Sequence, residues 1–210
     1  MDPEEGRHVL SARSRGFSLI ELMVAVAALA ILTAMAVPSF TTWIRNARVR
    51  TVADALQSGI RVAQTEAQRR SQSVVLFLTA NKECSSTATA DVNGMQWQIR
   101  SIPNPLMTDE SPIDIQCGVL TDVSSGVKIT PAPLIAALCF SGDGRQTTLT
   151  NPAAIGVNCT ASATQFLIAP ENPNNDSRPL QLEVSLSGSV RLCDPKKATT
   201  APDGCRSTPP

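Results

Sequence analysis

Hydrophobic and polar positions divide the chain into stretches of different period. Residues 1–16 are polar, with Arg7, Arg13 and Arg15 offset by Asp2, Glu4 and Glu5. Residues 17–37 then read FSLIELMVAVAALAILTAMAV, apolar except for one charge, Glu21. At about 1.5 Å per residue this run makes a helix roughly 30 Å long, the thickness of a bilayer's hydrocarbon core. Between 45 and 70 the apolar positions Val49, Val52, Leu56, Ile60, Ala63 and Ala67 recur at three- and four-residue steps, one stripe of an amphipathic helix. The stripe narrows to alanine at its far end, which permits a close approach to whatever it packs on, while Gly59 weakens the helix slightly. Pro38 removes one backbone donor between the two stretches and is expected to kink the helix rather than end it, because helical patterning resumes beyond it. The helix from 17 to about 70 would be roughly 80 Å long.

After Ser71 the period shortens. Segments 73–79, 95–101, 127–130, 135–141, 164–169 and 180–186 read as strands. Leu180, Leu182, Val184 and Leu186 alternate with Gln181, Glu183 and Ser185, the pattern of a sheet with one buried face. Ser187-Gly188 reads as a two-residue turn from which 189–193 returns as a hairpin. Asn93-Gly94 and Gly142-Asp143-Gly144 read as further turns, and 103–112, 170–179 and 195–210 as loops. The expected fold class is α+β: a long kinked N-terminal helix, half transmembrane and half amphipathic, packed on an all-β C-terminal head. The expected divisions are 1–16, 17–37, 38–71 and 72–210, the last large enough to hold its own core.

Composition adds compartment and excludes some chemistry. Hydrophobic residues make up 42% and charged residues 17%, so a packed core is within reach. The 18 basic and 18 acidic residues cancel, so no global field points to a nucleic-acid partner and any such site is local. Along the second helical half Arg45, Arg48, Arg50, Arg61, Arg69 and Arg70 outnumber Asp54 and Glu66; the reading is a solvated helix face with subunit contacts. The sole histidine is His8, and no two of Cys84, Cys117, Cys139, Cys159, Cys193 and Cys205 are spaced as Cys-x-x-Cys, which argues against a zinc site. Cysteines that all follow the apolar run point to disulfides in an oxidising compartment. Sequential pairing, 84–117, 139–159 and 193–205, is the expectation, with the last closing the shortest loop. Glycine-rich phosphate loops, Gly-x-Ser-x-Gly and His-Glu-x-x-His are absent, so no catalytic residue, metal or cofactor is expected, and Asp109, Glu110 and Asp114 read as loop solvation.

Arg13 and Arg15 before the apolar run keep residues 1–16 cytoplasmic by the positive-inside rule, which puts the cysteine-bearing part across the membrane. A secretory signal would have a shorter apolar stretch, and neither it nor a plain anchor explains Glu21. A carboxylate within an apolar helix costs about 2–3 kcal/mol and marks a functional position. Cleavage after Gly16 would leave a cationic amine on Phe17, four residues from Glu21 on one helical face, for pairing within the chain or with a neighbouring helix.

Arg15-Gly16-Phe17-Ser18-Leu19-Ile20-Glu21-Leu22 resembles the class III leader junction of type IV pilins and type II secretion pseudopilins. The resemblance implies cleavage between Gly16 and Phe17 by a prepilin peptidase, N-methylation of Phe17, an assembly role for Glu21, a kink at Pro38, and partnership with other major and minor pilins through the N-terminal helix. It implies a single-pass protein of the bacterial inner membrane with its head in the periplasm, taken up into a pilus or pseudopilus. Asn46-Ala47-Arg48, Leu56, Glu66-Ala67, Arg69-Arg70, the stretch Leu138-Cys139-Phe140-Ser141-Gly142-Asp143-Gly144-Arg145 and the hairpin Val184 to Leu192 resemble the GspH/FimT branch, which includes FimT- and FimU-like minor pilins. That branch implies a minor subunit that primes or caps a filament. Some FimT-like members bind DNA through Gly-Arg-x-Arg in this hairpin; here Gly188-Ser189-Val190-Arg191 lacks the first arginine, and Arg191, Lys196, Lys197 and Arg206 remain as the possible DNA-binding cations.

Overall fold

The computed structural model describes residues 16–104, 106, 109–118 and 125–206. The expected leader, 1–16, lies outside them apart from Gly16. Helix α1 covers Leu19–Arg70 and its assignment runs unbroken through Pro38. Among the described residues eight strands follow: β1 Val74–Thr79, β2 Gln96–Ser101, β3 Asp114–Gly118, β4 Val127–Ala132, β5 Ala137–Phe140, β6 Thr164–Pro170, β7 Leu180–Val184 and β8 Val190–Cys193. They form two antiparallel four-stranded sheets, ordered β3-β2-β1-β5 and β4-β6-β7-β8. This is a long helix with an antiparallel β head, the α+β arrangement read from the pattern.

Residues 1–41 and 42–210 are separate compact units. In the first, the described apolar side chains from Leu19 to Val37 are exposed, and they are distributed all round the helix. Such a surface needs lipid or other helices rather than water. Thr33 does not spoil it, because its hydroxyl donates to the carbonyls of Leu29 and Ala30, both at 2.9 Å.

In the second unit the helical stripe Val49, Val52, Leu56, Ile60, Ala63 and Ala67 is fully or almost fully buried. It shares one core with Leu76, Ile99 and Leu138 of the first sheet and with Ile129, Phe166 and Leu182 of the second. The first sheet is also covered on its far side, where Val75, Phe77 and Cys139 pack with Ala88, Ile155 and Cys159. Burial on both faces explains the continuous apolar run of β1, Val-Val-Leu-Phe-Leu-Thr. β4 of the second sheet alternates buried and exposed positions, as a half-solvated sheet requires.

Three strand expectations change. β3 was not anticipated, and Asp114 lies in it rather than in a loop: its Oδ1 accepts from Arg100 Nε at 2.7 Å and Gln98 Nε2 at 2.6 Å. Arg100 is buried, donates also to Ser85 O at 2.9 Å, and lies 5.4 Å from the Phe77 ring centre, so a carboxylate is required beside it. β7 ends at Val184 and β8 begins at Val190, so five residues connect them, and the tip enclosed by the Ser185–Ser189 bond is three residues, 186–188, not two. Gly188 N donates to Ser185 O and Ser185 N to Ser189 O, with Gly188 at φ 85°, the geometry of a type I turn closed by a glycine bulge. Finally, β7 is buried on both faces at Glu183, which has 0% exposure.

Gly59 has a purpose beyond helix propensity. A Cβ there would lie 2.9 Å from the Trp97 ring, so the indole occupies the space a side chain would take.

Candidate functional site

The first site is the start of α1. Helix begins at Leu19, so Ser18 is its N-cap, and Glu21 N donates to Ser18 Oγ at 3.2 Å. Ser18-Leu19-Ile20-Glu21 thus has the Ser-x-x-Glu spacing of a capping box, with the Glu21 carboxylate in the first turn, where the helix dipole favours it. Serine followed three residues later by glutamate before an apolar run was the available signal for this cap. Phe17 precedes the cap, outside the helix, and is 82% exposed in the uncleaved chain, whereas the pairing expected with Glu21 belongs to a chain cut after Gly16. Gly16 has open space where a Cβ would lie. The junction Gly16-Phe17 is therefore non-helical backbone with an exposed aromatic on its C-terminal side.

The second site gathers the two glycine turns singled out in the head. Gln64 Nε2 donates to Gly144 O at 2.9 Å and Gln68 Nε2 to Asp143 O at 3.3 Å, so the Ser141–Arg145 turn seats on the last turns of α1. A Cβ on Gly188 would come within 2.4 Å of Gly144 O, so the tip of the closing hairpin rests on that turn. The Asp143 carboxyl is held below its ordinary range by the Ser141 hydroxyl and the Arg145 N–H. Nearby, Arg69 and then Arg70 bond the Glu66 carboxylate and pull it down to about 2.

The third site is the C-terminal loop. Disulfides join Cys84 to Cys117, Cys139 to Cys159 and Cys193 to Cys205. The last closes a loop over the outer face of β7 and β8. There the buried Glu183 accepts from Arg206 N at 3.1 Å, and its Oε2 faces Arg191 Nη1 at 3.7 Å. Arg191 Nη2 donates to Pro202 O at 3.1 Å and Gly204 O at 2.9 Å. Lys196 Nζ is spent on Ser177 O at 2.6 Å and Asn175 O at 3.3 Å. Lys197 pairs with Asp203, whose carboxyl it holds below the usual range. Of the four cations grouped in the sequence, Arg191 and Lys196 thus tie the loop to the rest of the head, and Lys197 is paired within the loop. Glu183, Cys193 and Cys205 lie together, but both sulfurs are in the disulfide and offer no metal a thiolate.

The described residues thus combine an exposed apolar helix carrying one acid in its first turn, a Gly-Phe junction before it and a disulfide-stapled β head after it, and this combination has counterparts among known proteins. Residues 11–37 match the family model for the prokaryotic N-terminal methylation motif, and residues 52–188 match that for the type II transport protein GspH. The second match covers more than half of the chain, which belongs to the GspH family. Among solved structures, the Pseudomonas aeruginosa type IV minor pilin FimU is 12% identical, with 75% of this chain and 94% of that chain covered at a TM-score of 0.47. The Vibrio cholerae type 2 secretion minor pseudopilin EpsH is 12% identical over 71% of this chain and 99% of that one, TM-score 0.46. Escherichia coli GspH is 16% identical over 72% and 91%, TM-score 0.42. No curated protein sequence matches.

Proposed function

We propose that this chain is a minor subunit of a type IV pilus, a structural element that helps to prime or cap the filament rather than an enzyme. The observation that carries the reading is Glu21: one carboxylate in the first turn of an otherwise apolar, exposed helix, five positions into a chain that would begin at Phe17. Removal of 1–16 by a prepilin peptidase and methylation of Phe17 leave a cationic secondary amine. In a bundle of such helices that amine neutralises the Glu21 of a neighbour and fixes axial register, while the desolvated carboxylate alone would be costly. Before assembly the same helix anchors the subunit in the inner membrane with the head, 72–210, in the periplasm, where the disulfides form. A second reading, subunit of a type II secretion pseudopilus, is favoured by the description of the matching family. DNA binding through Arg191, Lys196, Lys197 and Arg206 has the weaker support, because the first three side chains already have partners in the head.

Intact mass spectrometry of the membrane-extracted protein is expected to show loss of residues 1–16, one added methyl and six hydrogens fewer than the fully reduced chain. Glu21→Ala should be processed normally but fail to enter sheared filaments. A native chain that still begins at Met1, or undiminished incorporation of the alanine variant, refutes the reading. Deletion of the gene should abolish either surface pili or exoprotein release, which separates the two machines.

A further inference from the structure

A groove of about 590 Å³ runs between α1 and β8 within the head unit. Its floor is apolar: Leu180, Val190 and Leu192 pack against the core but are only half-buried. Its rim is basic. Arg50, on α1, is paired with Asp54 at 3.0 Å, whereas the guanidiniums of Arg61 and Arg178 make no hydrogen bond or ion pair among the described residues. Of the two carboxylates in the lining, Asp203 is paired with Lys197, whereas Asp194 accepts the backbone N–H of Lys196 at 2.9 Å and keeps its charge, so Arg61 and Arg178 together outweigh one carboxylate without an ion pair among the described residues.

One wall of the groove is an open strand edge. β8 is the last strand of its sheet, and Val190, Arg191 and Leu192 make no backbone hydrogen bond beyond β7 among the described residues. The disulfide-closed loop blocks that edge only at its end, where Asp194 N donates to Asp203 O at 2.7 Å. An exposed edge of this kind is a template for another strand. Apolar floor, unspent guanidiniums and a free edge lie side by side, and they complement one kind of ligand.

We propose that this groove docks an extended, acidic segment of a partner protein, added as a further strand along β8. Main-chain bonds to the β8 edge would hold it. Aliphatic side chains at alternate positions would cover Leu180, Val190 and Leu192, and carboxylates at its ends would meet Arg61 and Arg178. This goes beyond the filament assignment and is independent of it, since neither Phe17 nor Glu21 takes part.

The test uses the full chain in neutral detergent micelles and a fluorescein-labelled peptide of alternating valine and serine with glutamate at both ends. Fluorescence anisotropy at low salt should show saturable binding that a lysine-ended peptide lacks. N-methylation of alternate peptide nitrogens should abolish it, as expected when backbone bonds carry the contact. Arg61→Glu with Arg178→Glu should weaken binding by about tenfold or more, while Arg145→Glu, outside the groove, should not. Equal binding of the two peptides, survival of binding after N-methylation, or indifference to the double substitution overturns the proposal. So does displacement of the peptide by duplex DNA or by self-association of the chain, either of which would name a different occupant.

Discussion

Single side chains in this molecule are decided by what lies opposite them. Gly59 looks like a flaw in an amphipathic helix until the Trp97 ring is placed 2.9 Å from where its Cβ would be. Alanine gains about 1 kcal/mol of helix propensity but must displace a buried indole, a misfit costing about 1–3 kcal/mol. Gly59→Ala is therefore expected to lower the chemical-denaturation midpoint, and a raised midpoint would show that the ring yields freely. Glu66 supplies a pH effect with a definite sign. Arg69 and Arg70 hold its folded-state pKa at about 2 against an ordinary 4.5, so its contribution is complete above about pH 4.5 and is lost as pH falls towards 2. The pairs are partly exposed, so the loss is well under about 1 kcal/mol. Acid titration of stability in Glu66→Gln should lack this component and otherwise follow the parent.

At the scale of elements, patterning is readable where burial is periodic and fails where it is not. The stripe Val49 to Ala67 and the strands around Leu76, Ile129, Phe166 and Leu182 all face one core, and each was visible as spacing. β3 was not, because Asp114-Ile115-Gln116-Cys117-Gly118 carries one aliphatic residue and owes its place to pairing with β2 and to the Arg100–Asp114 bond. Glu183 was read as solvent-facing because alternation reports the buried face but cannot show that a later segment, 194–206, covers the other. At the proposed processing site the residue types were legible, whereas the cap made by Ser18, which starts the helix at Leu19, was overlooked. The layer behind the first sheet depends on a crosslink rather than a regular element: Cys139 of β5 holds Cys159 in a stretch with only a short 3-10 turn. Closing a loop of that length stabilises a fold by about 3 kcal/mol. Cys139→Ser with Cys159→Ser should lose stability of this order, read from denaturation midpoints, and should first expose backbone amides near Ile155 to hydrogen exchange.

The whole molecule joins two surfaces with opposite requirements. Unit 42–210 encloses its own core, whereas the helix before it exposes leucine, isoleucine, valine and methionine. A fragment beginning at Thr42 is therefore expected to be soluble and to unfold in one cooperative step, while the full chain should need detergent or lipid to stay dispersed. Light scattering of the two preparations, and coincidence of fluorescence and circular-dichroism transitions for the fragment, check this. A fragment that melts gradually would mean that the head draws stability from residues before Thr42.

The three sulfur bridges lie one after another along the chain, 84 with 117, 139 with 159 and 193 with 205, none enclosing another. A head threaded across a membrane behind an anchor whose amino end stays inside would present its thiols in that same order. Each newcomer would then find either no unmatched sulfur ahead of it or only its proper mate. Correct pairing could be reached by timing alone, with no reshuffling of mistaken bonds.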